Sequence, residues 1–514
     1  MAQELIRGYG RNHISPRCMV QIDIQKAYDP IEWHTLFKIL HELGFPSMFV
    51  DWIFACVTTV SYRYSINGSP SRLLKAKRGL RQGDPISLLL FVWLMEYLHR
   101  LLLTLAKIPN FKFHPRCDKL HITNLCFADD LLIFTKGELI SVQLMMEKIR
   151  EFSASTRLIA SHPKSKIYFG VVREDTQELI QQEMGFAIGT LPFKYLGVPL
   201  ASRKLTIHMC QPLIEKMTGR LNHRCTRLLS YACRIQLVRS VLFSIANYWM
   251  KVFPLPKKVI HHVEAICRSF IWTRKENISK KALVSWESMC DLVSAGGRNM
   301  TDLTLWNKDT IGKMLWNLCA KADKLRIGWI HMHYIKGRDC TNFIPPQQSS
   351  WMLKCMFKYG IEIRRIEAWG EANMQQKYIT RRIYKGLQGT KPTVPWRRVF
   401  FGNGARPRAI FILWLVFRNK LMTKDRLFKI GIQTDGKYTY CGDYERCQHL
   451  FFDCRYTKNI WMQVLHWLKM DHTPQKWDLE LDWLCKTVNR KNSQNKVLQI
   501  AIAEMTYAVW IVRN

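Results

Sequence analysis

The stretch Leu125-Cys126-Phe127-Ala128-Asp129-Asp130-Leu131-Leu132-Ile133-Phe134 sets two short apolar runs on either side of an Ala-Asp-Asp step. Such a pattern reads as a tight hairpin with two carboxylates at its tip. Adjacent carboxylates repel and are costly to desolvate, so the pair needs either a cation or a surface position. A divalent metal meets the first condition and an Asx-type surface turn the second. What decides is whether a second acid-bearing strand lies elsewhere in the chain.

One does. Cys18 to Ile24 is a mostly apolar run that reads as a buried strand carrying a single acid, Asp23. Just beyond it, Asp29 suits an N-cap, Pro30 the first helical position and Glu32 the reciprocal capping position. The helix then carries Leu36, Leu40 and Leu43 on one face and stops at Gly44. A cap therefore explains Asp29 and leaves Asp23 unexplained. A second helix is expected at about 47–58, then a hairpin (62–66 with 73–77) turning at Asn67-Gly68. Asp84 and Pro85 repeat the cap device and start a helix to about Ala106. The loop before that helix joins Lys75, Lys77, Arg78, Arg81 and Gln82 to Gly79 and Gly83. Bare glycine backbone beside cations lets a nucleotide or sugar-phosphate strand approach closely.

The main elements follow as strand 18–24, helix 85–106, strand 121–127, strand 131–135, helix 138–155 and strand 166–170. This is the β-α-β-β-α-β order of a split βαβ unit, an α+β fold around an antiparallel sheet. It places the first strand beside the carboxylate hairpin, with Asp23 expected to face Asp129. Three carboxylates on one sheet edge beside a basic loop make a two-metal phosphoryl-transfer site.

Bulk composition agrees. The 514 residues allow several domains, and 77 Lys and Arg against 40 Asp and Glu give a net charge of +37. That excess is spread along the length and favours a nucleic-acid partner. A membrane partner fits less well, because the apolar run Ile86–Met95 is too short to span a bilayer and ends in Glu96. The N-terminus lacks the apolar core of a secretory signal, and 16 scattered cysteines suit a reducing, intracellular setting.

Asp23-Ile-Gln-Lys-Ala-Tyr28-Asp29, Gly79-Leu-Arg-Gln-Gly-Asp-Pro85, Phe127-Ala-Asp-Asp130 and Tyr195-Leu-Gly-Val-Pro-Leu200 occur in that order. Together they resemble the reverse transcriptases of plant non-LTR (LINE-type) retrotransposons. The resemblance implies an RNA-directed DNA polymerase that copies an RNA template onto a DNA primer with deoxynucleoside triphosphates, in the nucleus. It implies that Asp23 and Asp129, with Asp130 as support or outer ligand, hold two Mg²⁺. Tyr28 would crowd the 2′-position of the incoming nucleotide, and Arg81, Gln82 and Gly83 would line nucleotide and template. Lys164 would protonate pyrophosphate, or is a plain surface lysine. Tyr195, Leu196 and Gly197 would form the primer grip. Departures stand at Gln21, Leu88, Arg157 and Ser161, none of which is an implied metal ligand. Little chain precedes the first strand, so the fingers and an upstream endonuclease of the family are expected to lie outside it. A nucleic-acid-binding remnant without catalytic activity is the competing reading.

The same resemblance assigns a palm to 1–170, a primer grip and helical thumb to 171–253, a connecting region to 254–390, and a reverse-transcriptase zinc-binding-like domain to 391–475. The thumb would present Arg220, Arg224, Arg227, Arg234 and Arg239 to the duplex. A helical segment, 476–514, ends inside what reads as a helix. The family's zinc ligands are Cys-x-x-Cys, His and Cys. Here Tyr438 holds the first position and leaves Cys441, His449 and Cys454, with Cys447 available to complete a tetrahedral set. Without zinc, this region would be a small helical domain packed by its aromatics.

Overall fold

The strand carrying Asp23 spans Arg17–Asp23 and is hydrogen-bonded on both sides, to Asp130–Lys136 and to Lys166–Gly170, both antiparallel. This is the arrangement in a computed structural model that describes the whole chain except residues 12–13, 203, 223–227, 276, 280, 341 and 490–491. Asn124–Phe127 closes the hairpin on one edge, and Ala187–Ile188 adds a parallel strand on the other. The split βαβ order expected from the sequence is thus the order observed.

Strand alternation divides the sheet into two faces. Cys18, Val20, Ile22, Leu131, Ile133 and Ile167 enter one core with Leu90, Phe91, Leu94 and Leu98 of the helix Pro85–Leu103. Val142, Met145 and Ile149 of the helix Leu139–Thr156 complete it. Each buried Val, Leu, Ile, Met or Phe side chain of this core contributes about 1.5–3 kcal/mol relative to exposure. Asp23 shares the opposite face with Gln21, whose side chain accepts a 3.1 Å hydrogen bond from the Tyr168 hydroxyl.

Local chemistry places several elements as expected. Asp84 accepts from the Ile86 N–H and starts its helix with Pro85. Asn67 and Gly68 take positive φ at the hairpin turn, and the helix Ser47–Thr58 matches its expected bounds. Asp29 is not a cap. The helix Trp33–Glu42 begins after Glu32, and residues 25–30 form turns before it. The helix from Pro85 continues through a 3₁₀ turn to Lys107 and is, by length and composition, long enough to cross a membrane. Its Leu90, Phe91, Leu94 and Leu102 are fully buried in the protein, and it carries an i,i+4 ion pair, Glu96 with Arg100.

The chain divides into two compact units, one of Met1–Leu205 with Lys321–Lys354 and one of Thr206–Ala320 with Cys355–Asn514. The hairpin Phe193–Tyr195 with Val198–Leu200 belongs to the first, and Phe193 stacks 4.4 Å from Tyr168. The second is largely helical, and its last helix, Ser493–Arg513, packs along Pro407–Phe417. Arg234 is a correction to the expected basic thumb face. It is 1% exposed, lies over the Tyr231 ring at 4.0 Å and donates to the Phe270 and Ile271 carbonyls. Its charge is committed to closing a helix end. Arg220 is exposed, Arg239 is partly buried, and Arg224 and Arg227 lie outside the described residues.

One buried acid of the second unit makes a testable pH dependence. Asp309 is fully buried with one carboxylate oxygen 2.5 Å from the Tyr378 hydroxyl and the other without a partner, and burial raises its carboxyl to about 7. A folded pKa above the unfolded value contributes stability that is full below about pH 4 and lost as pH rises through about 7. Glu264, also raised to about 7 by burial and by Asp302, titrates with the same sign. Asp309→Asn is therefore expected to melt roughly 5 °C or more above the wild type at pH 8, with the gap closing toward pH 4.5.

Candidate functional site

In the register, Asp23 lies opposite Asp130, and Phe127 opposite the same residue from the other side. The expected Asp23–Asp129 pairing is thus off by one. Ala128 takes a positive φ of 51° and, with Asp129, forms the turn. Asp129 projects exposed at the tip, while Asp23 and Asp130 are half-buried on the ladder. The three still form one electrostatic group. Partial burial, then the charges of Asp129 and Asp23, hold the Asp130 carboxyl above its usual value.

The strand end is fixed by the 161–165 segment, in which the sequence marked Ser161 and Lys164 but not Ser165. The Asp23 N–H donates to Ser165 Oγ at 3.2 Å, and the Ser161 N–H donates to the Asp23 carbonyl at 2.7 Å. Ser165 is fully buried, and its neighbour Lys164 places Nζ 3.5 Å from Asp23 Oδ2. Lys164 is 73% exposed and pairs with Asp23 from the solvent side. A polar residue just before an apolar strand is too common a pattern to have marked Ser165.

The glycine loop reaches the same edge through backbone pairing. The Gly79 N–H donates to the Ile31 carbonyl (2.8 Å) and the Leu80 N–H to the Tyr28 carbonyl (2.8 Å). Trp33 Nε1 donates to the Gly79 carbonyl at 2.7 Å. Gly79 has φ +89°, and a Cβ there would stand 2.6 Å from the Asp29 carbonyl oxygen. This clamp ties the exposed Arg81, Gln82 and Gly83 to the turn that carries Tyr28. The Tyr28 ring packs on Phe91 at 5.1 Å, and burial together with the nearby Asp129 charge raises its phenol. Tyr195 is buried in the 193–200 hairpin, and its phenol is raised by burial and then by Asp130. Leu196 and Gly197, both at positive φ, form that hairpin's turn. Asp23, Asp129, Asp130, Tyr28, Lys164 and Tyr195 are therefore brought together within the first unit, with the 79–83 loop tethered beside them.

Like charges gathered at one edge, with the exposed Lys164 as counter-ion, suit a divalent cation. The carboxylates do not form a tight single-ion cage. Among the described residues, one set of three ligand atoms lies mutually within 4.8 Å: Cys441, His449 and Cys454 of the second unit. Cys441 Sγ stands 3.6 Å from His449 Nε2. Cys447 is a correction to the expected ligand set. It is buried with its thiol toward the Val416 carbonyl, 3.9 Å away, and burial with Asp425 raises it to about 12. Tyr438 is buried beside the cluster, its ring 6.1 Å from that of His449.

The family model for reverse transcriptase (RNA-dependent DNA polymerase) matches residues 3–200, and that for zinc-binding in reverse transcriptase matches 378–461. The Pol polyprotein of the Drosophila melanogaster type-2 retrotransposable element R2DM is 26% identical over 211 residues, covering 38% of this chain and 18% of the relative. The corresponding R2 polyprotein of Popillia japonica is 27% identical over 200 residues, 36% and 31% of the two chains. An uncharacterized mitochondrial protein of Arabidopsis thaliana is 33% identical over 113 residues, 21% of this chain and 87% of that one. The chain thus spans under a third of the length of these two polyproteins.

Proposed function

This chain belongs to the reverse transcriptases of non-LTR retrotransposons, and we propose from that premise that it extends a DNA primer on an RNA template by two-metal nucleotidyl transfer. The observation that carries the reading is the register that brings Asp130 opposite Asp23 with Asp129 at the adjoining turn. Asp23, Asp129 and Asp130 would hold two Mg²⁺, which when bound lower the pKa of the primer hydroxyl and neutralise the triphosphate. Tyr28, braced by Phe91, crowds a ribose 2′-hydroxyl and so favours deoxynucleotides. Arg81, Gln82 and Gly83 offer charge, an amide and open backbone to nucleotide and template. Lys164 neutralises Asp23 and turns to donate a proton to the departing pyrophosphate. The hairpin of Tyr195, Leu196 and Gly197 holds the primer end against the sheet. Cys441, His449 and Cys454 would hold a structural Zn²⁺, which when bound would brace the 378–461 region. A plant retroelement of the LINE type, acting in the nucleus, is the setting this assignment implies.

Primer extension on a poly(rA)–oligo(dT) duplex tests the reading. Incorporation of deoxynucleotides with Mg²⁺, and none with EDTA, is the expected result. Salt-sensitive RNA binding with no extension under any divalent cation would assign the chain to the competing reading, a binding remnant.

A further inference from the structure

We infer that Asp443 supplies the fourth ligand of the zinc centre, giving a Cys₂-His-Asp site in a chain whose first ligand position holds Tyr438; the inference rests on the zinc reading above. Three geometric facts carry it. The Tyr438 N–H donates to the Asp443 carbonyl at 2.8 Å, the Gly442 N–H donates to the Tyr438 carbonyl at 2.8 Å, and Lys437 bridges Tyr444. Asp443 is thus the residue directly across the turn from the missing thiolate. Second, Asp443 Oδ2 stands 3.5 Å from His449 Nε2. That is longer than the roughly 2.7–3.2 Å of a hydrogen bond. It matches the edge of a tetrahedron about zinc, since Zn–N and Zn–O bonds of about 2.0–2.2 Å separate neighbouring N and O ligands by about 3.3–3.5 Å.

The third fact is that the other edge agrees. Cys441 Sγ and His449 Nε2 are 3.6 Å apart. A Zn–S bond of about 2.3 Å and a Zn–N bond of about 2.05 Å predict about 3.6 Å for that pair. His449 Nε2 therefore sits at tetrahedral spacing from both the thiol and the carboxylate. Asp443 falls outside the set of atoms mutually within 4.8 Å. The observed Asp443 rotamer thus meets the His449 edge but not both sulfur edges, and ligation requires the 73% exposed side chain to turn toward the sulfurs while keeping its spacing to Nε2. Tyr438 is 3% exposed and keeps its ring in the core, so the carboxylate enters from the solvent side.

The test measures zinc affinity of the full chain by competition with a chromophoric chelator, and Co²⁺ absorption as a count of thiolate ligands. The wild type is expected to bind one ion with a tetrahedral, two-thiolate Co²⁺ spectrum. Asp443→Ala should weaken binding at least about tenfold with circular dichroism unchanged. Tyr438→Cys should add a third thiolate band, and in that background Asp443→Ala should change affinity less than about twofold, because the fourth position is filled. A wild type that binds no metal would overturn the zinc reading itself. Metal bound with equal affinity in wild type and Asp443→Ala would overturn the role of Asp443 alone. Equal weakening in both backgrounds would also overturn it, reducing Asp443 to a neighbouring charge.

Discussion

Asp129→Ala is expected to lower primer extension by roughly 10³-fold while leaving RNA binding and its salt dependence unchanged. The size follows from losing one carboxylate of a two-metal site, where metal charge stabilisation amounts to several kcal/mol and about 4 kcal/mol is three decades in rate. The fold should not register the change. Asp129 is exposed at the hairpin turn, and the ladder that holds the hairpin runs through Phe127 and Asp130. Removing its charge also relieves the repulsion that raises Asp130, so unfolding measurements should show wild-type or slightly higher stability. Affinity for RNA depends on cations displacing counterions, to which a lost carboxylate is at worst indifferent. Single-turnover extension beside filter binding at two salt concentrations separates these quantities. A parallel fall in rate and in RNA affinity would instead make Asp129 a structural residue.

Much of this site was legible because its residues obey short-range rules. An acid in an apolar run, an Asn-Gly turn and an Asp-Pro helix start each have one low-energy interpretation, and Asp23, Asn67-Gly68 and Asp84 appear as read. What was misread depends on choices those rules do not make. The hairpin tip offered two placements one residue apart. Giving Ala128 and Asp129 to the turn puts Asp130, not Asp129, on the ladder opposite Asp23. Asp29 had the composition of a cap, but the clamp of Ile31 and Tyr28 onto Gly79 and Leu80 holds that stretch in turns, and the helix starts later. Cys447 and Arg234 were assigned by residue type. Packing then turned the thiol to Val416 and the guanidinium to the carbonyls at 270 and 271. Ser165 and Asp443 had no pattern to announce them, since each acts through a partner distant in sequence or across a turn.

Gly79→Ala is expected to cost about 2–4 kcal/mol of stability in the first unit and to reduce extension further than that loss explains, whereas Gly83→Ala costs about 1–2 kcal/mol. Both glycines have nearly the same positive φ, +89° and +87°, so the intrinsic strain on an L side chain is alike. Their surroundings differ. A Cβ on Gly83 meets nothing within 4 Å, but on Gly79 it meets the backbone oxygens of Asp29 at 2.6 Å and Tyr28 at 3.1 Å. Backbone cannot rotate aside as a side-chain end can, so the 79–80 segment must separate from 28–31. That separation breaks the Gly79–Ile31, Leu80–Tyr28 and Trp33–Gly79 hydrogen bonds that align the loop with the aspartate strand. It also releases Tyr28 from its set position over Phe91, so the Gly79 variant should incorporate ribonucleotides more readily relative to deoxynucleotides. The Gly83 variant keeps the clamp and should keep wild-type sugar selectivity. Measuring both melting temperature and the ratio of deoxy- to ribonucleotide incorporation distinguishes the two. Equal selectivity in Gly79→Ala and Gly83→Ala would show that the clamp does not position Tyr28.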